Sequence, residues 1–246
     1  MLIIICRSGG GRVYKDKKIL AIIPARGGSK GIPYKNIMKI CNKPLIAYSI
    51  EAAKNSKYID YTLVSTDDEV IKDISLEYGA KVPFLRPKEI SDDKAKSIDV
   101  VLHAIDYLRK DSKQFDYAVL LQPTSPLRTM EDIDKAIEDI VNTNNNSLIS
   151  ICECDENPVL MRTIENNKLN TIFEFKGDNL RRQELPKFYI FNGALYINKV
   201  DMLLNEKAFV NEDTMPFIMD RYKSIDIDNI IDAKIAELIL KENKND

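Results

Sequence analysis

The chain has 246 residues, 44% of them hydrophobic, enough for one sizeable α/β domain with a small appendage. Charged residues make up 30% and nearly cancel to a net charge of -2, so the whole offers no electrostatic footprint for nucleic acid or an anionic membrane, and any basic site must be local. No apolar run reaches transmembrane length and the four cysteines, at 6, 41, 152 and 154, are unevenly placed, so a reduced cytoplasmic protein is expected.

Residues 1–18 open with MLIII, too short for a signal-peptide core, and run on through Gly9, Gly10, Gly11 and Arg12 like a linker; they are expected to form a peripheral extension. Residues 19–23, ILAII, are the continuous apolar run of a parallel strand buried on both faces, and Pro24 stops it. Beyond it Gly27, Gly28 and Gly31 permit close approach by a ligand, while Arg26, Lys30 and Lys35 bring positive charge. From 19 to 50 there is no Asp or Glu, yet Arg26, Lys30, Lys35, Lys39 and Lys43 all fall there. A solvated basic loop would account for an arbitrary lysine run. This run begins at the carboxyl end of a buried strand, where open α/β sheets take their ligands, so the chemistry favours polyphosphate. A Walker loop needs glycine where Ile32 stands, and GxGxxG needs glycine at Lys30, so this is a different nucleotide loop and a dinucleotide oxidoreductase is disfavoured.

Residues 44–56 carry Leu45, Tyr48, Ala52 and Ala53 on one side of a crossover helix, and 61–66 read as a second strand. Asp67 is expected to cap the next helix, which bears Val70, Ile71 and Ile74 and ends at Gly79. Arg86 stands between Pro83 and Pro87; its planar donor fork suits a carboxylate or a phosphate, and a surface arginine in a turn fits equally. His103 falls within a helix of period Ile98, Val101, Leu102, Ile105 and Leu108 and reads as a packing residue. Without a second histidine, a Ser-His-Asp triad or a histidine-rich metal site would be hard to build. Another buried strand covers 117–122, and the loop that follows it lies, like the glycine loop, at a strand's carboxyl end. Thr129 and Asp132 form a capping box for the helix beyond.

Residues 147–154 read as a strand with Cys152 and Cys154 as packing residues, and from 155 to 187 the periodicity fades into an inserted arm of short strands. In FYIFNGALYI, residues 188–197, Asn192 and Gly193 mark either a hairpin or a strand interrupted where backbone meets ligand. SIDID, 224–228, alternates strictly, so Asp226 and Asp228 would share one face of an extended segment with Cα atoms about 7 Å apart. Two such carboxylates can converge on magnesium; alternatively Asp226 is an exposed strand residue and Asp228 caps the last helix, whose Ile231, Ile235, Leu238 and Ile239 face the core. Beside a polycationic loop the metal reading is favoured.

In order, PARGGSKGIPYKN, LRPKEI, LLQPTSPLR, RRQELP with NGALYI, and SIDID resemble the motifs of the cytidylyltransferases that activate sialic acid and related nine-carbon 2-keto sugar acids, over residue 19 to the end. The resemblance implies a Rossmann-like α/β nucleotidyltransferase with a mostly parallel sheet, which moves CMP from CTP to the anomeric hydroxyl of an N-acylneuraminate, legionaminate or pseudaminate and releases pyrophosphate. It implies a nucleotide site of Ala25, Arg26, Gly27, Lys30, Lys35, Asn36, Arg86, Ala95 and Ser97. A sugar side of Gln122, Arg182, Gln183 and Asn192 is implied as well. Arg26, Lys30, Asp226 and Asp228 would be catalytic, the two aspartates holding Mg2+, and the 155–187 arm would make a homodimer. The resemblance also prefers the interrupted strand at Asn192-Gly193. The arm carries Asn157-Pro158 and Arg162 where N-acetylneuraminate-specific members carry His-Pro and Lys, which keeps legionaminate and pseudaminate in view. The rivals are a 3-deoxy-manno-octulosonate cytidylyltransferase and a non-catalytic nucleotide-binding module.

Overall fold

The computed structural model describes residues 14–28, 31–92, 94–173, 183 and 185–243. Six strands form the central sheet in the order β10-β6-β9-β5-β1-β4. They are β1 (Ile19–Pro24), β4 (Tyr61–Ser65), β5 (Tyr117–Leu120), β6 (Ser147–Glu153), β9 (Tyr189–Lys199) and β10 (Met215–Ile218). β1 pairs parallel with β4 and β5, and β10 with β6, while β9 runs antiparallel between β5 and β6. Outside the sheet, β2 (Lys39–Ile40) pairs with β3 (Lys43–Pro44), and β7 (Arg162–Glu165) with β8 (Lys168–Thr171).

The apolar run of β1 is the centre of the molecule because both of its faces are covered. Ile19, Ala21 and Ile23 pack with helices α1 (Leu45–Asn55), α2 (Glu69–Glu77) and α4 (Met130–Thr143). Leu20 and Ile22 pack with α3 (Ser97–Lys110) and α5 (Val200–Glu206) on the other face. A strand buried on both sides has no polar face to alternate, which is why its sequence is uniformly apolar. From β1 the chain steps to β4 on one side and later to β5 on the other, so the crevice beyond Pro24 is a topological switch point.

The interrupted strand holds: β9 passes through Asn192 and Gly193 without turning back, Gly193 taking a φ of 73° beside a register shift between Ile149 and Ile151. In the arm the hairpin β7–β8 turns at Asn166 and Asn167, with φ of 51° and 61°, the left-handed pair that a two-residue hairpin loop needs. The described part of the N-terminal extension sits at the periphery, with Tyr14 tilted on Tyr58 at 4.6 Å and donating to Asn142 Oδ1 at 3.1 Å.

Three local expectations are corrected. Asp68, not Asp67, caps α2, its Oδ1 accepting from Ile71 N at 2.9 Å. Residues 225–227 form no strand and Asp228 sits in a bend, the segment being held by Ile227 N donating to Thr124 O at 2.9 Å. The cap of α6 (Ile230–Glu242) is Asn229, in a capping box with Asp232, which frees Asp228 from that duty. This box fixes the phase of α6 so that Ala233 and Ala236 face Leu45, Leu127 and Ile227. The small alanines allow close approach, and Ile231, Ile235 and Leu238 are left exposed, with only Ile239 of the expected stripe packing inward.

His103 packs edge-on against Phe84 with ring centroids 4.7 Å apart, and its buried Nδ1 has no hydrogen-bond partner among the described residues. Burial lowers its pKa from the usual 6.5, Asp106 opposing and Arg86 reinforcing the shift. The unfolded chain therefore binds this proton more readily than the fold does, so the stability is intact above 6.5 and is lost as pH falls below it toward the folded value. Melting temperature should decline over that window, and His103→Leu should remove this part of the decline when the two are compared by calorimetry.

Candidate functional site

The loops that follow β1, α2 and β5 meet at the carboxyl edge of the sheet. They enclose a cavity of about 380 Å³ lined by Arg26, Gly31, Lys35, Asn36, Arg86, Ala95, Ser97, Gln122, Thr124 and Asp228, among others. The cationic turn near residue 30 and the aspartate segment near 228 thus face one space. Two contacts join them. Lys35 Nζ donates to Ile227 O at 2.8 Å and to Asp228 Oδ1 at 3.0 Å. Gly31 lies so close that a Cβ there would stand 2.6 Å from Asp228 O, which is why this position needs glycine.

The remaining loop residues divide into lining and support. Asn36 is buried and its Nδ2 donates to Arg26 O at 3.0 Å, fixing the loop from beneath. Ala25 is fully buried, its N–H donating to Ser65 O at 2.9 Å, so it extends the β1–β4 pairing and is absent from the cavity lining. Gly27 donates its N–H to Asp67 Oδ1 at 3.0 Å. Arg86 is 6% exposed, and its Nε and Nη2 have no hydrogen-bond partner among the described residues. Burial lowers its pKa; Asp67, with Oδ1 3.6 Å from Nη2, opposes the shift and Arg26 adds to it. Buried donors without acceptors at a cavity wall are set up for a ligand. Lys30 and Arg182 lie outside the described residues.

A second cavity, about 440 Å³, adjoins the first and is lined by Gln122, Asn192, Gly193, Tyr196, Arg221 and Asp226, among others. Gln122 lines both. Asp226 and Asp228 therefore open onto neighbouring spaces with Gln122 at the seam. Asp226 Oδ1 is buried with no close hydrogen-bond partner among the described residues, and burial raises the pKa of the carboxyl, with the Thr124 side chain opposing the rise, Asp228 adding to it and Lys35 opposing it. Gly193 lies beside them: a Cβ on it would stand 3.7 Å from both Asp226 Oδ2 and Gln122 Nε2, an ordinary contact, so it is the φ of 73° that calls for glycine here. The Asn192 amide is engaged at both ends, accepting from Ser150 Oγ at 2.5 Å and donating to Ser224 Oγ at 2.9 Å, so it knits the wall together. Gln183 is exposed and is not among the residues lining either cavity.

Thr124, in the loop after β5 whose polar residues are expected to face this crevice, lines it, whereas Asp67 is expected only as a helix cap, Arg128 proves to be a buried brace and sequence reasoning passes over Arg221. Arg128, 2% exposed, donates to Ala194 O and Ser49 Oγ, both at 2.7 Å, and to Gln122 O at 3.3 Å. Burial pushes its pKa down to about 10, and Asp132 works against that shift. It locks the Gln122 loop to β9. The signal was its place in the same loop as Gln122, and nothing in the spacing distinguishes a lining residue from a buried brace.

A mostly parallel sheet covered on both faces, with a cationic glycine turn at its switch point, defines an α/β nucleotide-binding protein. The chain belongs to the cytidylyltransferase family, whose model matches residues 20–244, and it is by that membership a nucleotidyltransferase. Over 228 residues it is 39% identical to a pseudaminic acid cytidylyltransferase of Campylobacter jejuni, spanning 92% of this chain and 97% of that one. Over 229 residues it is 35% identical to a CMP-N,N'-diacetyllegionaminic acid synthase of Legionella pneumophila, spanning 92% and 98%. The fold is similar, with a TM-score of 0.69 and 16% identity over 92% of this chain and 99% of the other, to CMP:2-keto-3-deoxy-manno-octonic acid synthetase solved with CTP.

Gly31→Ala should separate the glycine turn from Asp228. A displacement near 1 Å at a positioning contact costs about 100-fold in rate. The variant should fold normally by circular dichroism and lose pyrophosphate release from CTP to about that extent.

Proposed function

We propose that this protein transfers CMP from CTP to the anomeric hydroxyl of a nonulosonic acid, an N-acylneuraminate, legionaminate or pseudaminate, in the cytoplasm where CTP is made. The observation that carries this reading is the pair of adjoining cavities. One holds the cationic turn with Asp228, the other holds Asp226, and Gln122 lies between them. The 39% and 35% identities to enzymes named for pseudaminic and legionaminic acids support the nine-carbon substrate, against 16% for the eight-carbon synthetase that shares the fold.

The sugar hydroxyl oxygen would form a bond to the α-phosphorus as the bond from that phosphorus to the pyrophosphate oxygen breaks; the hydroxyl proton leaves to solvent. Such a transfer needs positioning and charge neutralisation more than covalent catalysis. Arg26 and Lys35 line the nucleotide cavity where the leaving pyrophosphate gains charge, and Lys30, in the same glycine turn, belongs with them on this reading. Arg86 offers buried donors to the acceptor edge of the pyrimidine.

On this reading Asp226 and Asp228 would hold a magnesium ion, Asp226 with a buried Oδ1 that has no hydrogen-bond partner among the described residues and Asp228 with a carboxylate at the edge of the nucleotide cavity. No group of three metal-ligating side chains occurs among the described residues, and magnesium bound together with phosphates needs only one or two carboxylates. The ion would supply charge neutralisation to the triphosphate.

A homodimer through the arm is part of the reading, because Ile164 and Leu169 on its hairpin are 73% and 72% exposed and a second copy would cover them. Ile164→Asp with Leu169→Asp should turn a dimer into a monomer in sedimentation analysis.

The decisive assay is pyrophosphate release from CTP with a panel of nine-carbon and eight-carbon keto sugar acids. Turnover is expected with a nine-carbon acid; turnover confined to the eight-carbon acid would replace the substrate, and none with any acid would leave a binding module. Asp226→Asn should lower kcat by about 100- to 1,000-fold, the usual cost of one contact to developing charge. Chelation should abolish the rate and magnesium restore it.

A further inference from the structure

We propose that Asp67 is a positioning residue that holds the phosphate turn and the nucleoside loop in one fixed relation, so that grip on the nucleotide and choice of base are set by a single carboxylate. This rests on the nucleotide reading above.

Two aspartates stand in a row before α2, and a helix takes only one cap. Asp68 fills that place, which leaves Asp67 pointing back across the crevice. Its Oδ1 accepts from Gly27 N at 3.0 Å and lies 3.6 Å from Arg86 Nη2. Gly27 belongs to the turn after β1, and Arg86 to the segment between α2 and α3, whose own N–H reaches back to Thr66 O at 2.7 Å. One oxygen atom thus ties two loops that line the same cavity and are otherwise joined to different strands.

The charge argument points the same way. Arg86 is buried beside Arg26, and both burial and that neighbour work against its charge. Asp67 is the carboxylate that restores it. At 3.6 Å the contact is an ion pair at the outer limit of a hydrogen bond, and Nε and Nη2 have no closer partner among the described residues. A carboxylate at full hydrogen-bonding distance would spend those donors. The ligand chemistry this leaves open is a ring carbonyl and ring nitrogen side by side, as on the edge of cytosine. Uracil presents a donor at that nitrogen and so is the natural competitor.

The test is calorimetric binding of CTP and of UTP to the full chain, with no sugar present. Asp67→Asn keeps an acceptor for Gly27 but removes the counter-charge of Arg86; its Kd for CTP should rise about tenfold, with a smaller change for UTP. Asp67→Ala loses both contacts and should weaken CTP by about 100-fold. Glu69→Gln, on the same helix but paired outward with Lys72 at 2.8 Å, should bind as wild type does. A merely structural role predicts equal losses for both nucleotides that follow a fall in melting temperature, and that result would overturn the inference. So would CTP and UTP affinities unchanged in both Asp67 variants. If the wild-type chain bound CTP no better than UTP, the nucleotide reading itself would fall, and this inference with it.

Discussion

The contact on which the site depends is made by the Lys35 ammonium. Its partners, Ile227 O and Asp228 Oδ1, are almost the whole chain away in sequence, and its side chain is mostly buried while that of Asp228 is mostly exposed. A charge-assisted bond to a backbone carbonyl at 2.8 Å is worth about 1.5–3 kcal/mol. The pairing with an exposed carboxylate is worth less, because water screens it. The asymmetry matters. The carbonyl fixes where the lysine is, while the carboxylate is held loosely enough to exchange its partner for a cation when anionic phosphates arrive to take the ammonium. On the proposed reading the free protein thus stores its cation and its anion against each other, and substrate with metal separates them.

The fold was legible wherever hydrophobic pattern and local chemistry agreed. The uniform apolar run at 19–23 demanded cover on both faces and has it; Thr129 and Asp132 make the capping box their spacing promises. It was illegible where two residues compete for one role. Asp67 and Asp68 are chemically identical candidates for the cap of α2, and Asp228 and Asn229 are near-equivalents for α6. The chain chooses by which side chain has better work elsewhere, a tertiary fact. The apolar stripe of α6 failed for another reason: counting large residues hides the fact that alanines pack closest, so the inner face is the small one.

The site was legible in its charges and not in its braces. The segregation of cations after β1, the alternating aspartates and the glutamine loop were all visible as residue types out of place in a nearly neutral chain. Arg128 looks in sequence like another member of that cationic set. It is instead sealed in the core, with Ala194 O, Ser49 Oγ and Gln122 O as its acceptors among the described residues. Composition cannot separate the two, because desolvation is a property of the fold. Asn192 shows the same limit: an amide that reads as a substrate contact is consumed by Ser150 and Ser224.

These braces explain why the seam between the cavities can be narrow. Gln122 faces both spaces, and Ser49 Oγ donates to its carbonyl at 3.1 Å while Arg128 reaches the same oxygen from the other side. The adjacent Gly193, with a φ of 73°, sits beside both Asp226 and Gln122. A group transferred between two ligands must cross such a seam in line, and a tolerance of a fraction of an ångström is met only if the residue at the crossing cannot drift. A flexible surface cation could not provide this. A guanidinium buried against the cost of desolvation, with each acceptor it touches belonging to a different element, can. The expense of burying Arg128 and the reach of Gln122 are thus two sides of one arrangement: stability is given up at the floor of the site so that geometry is kept at its centre.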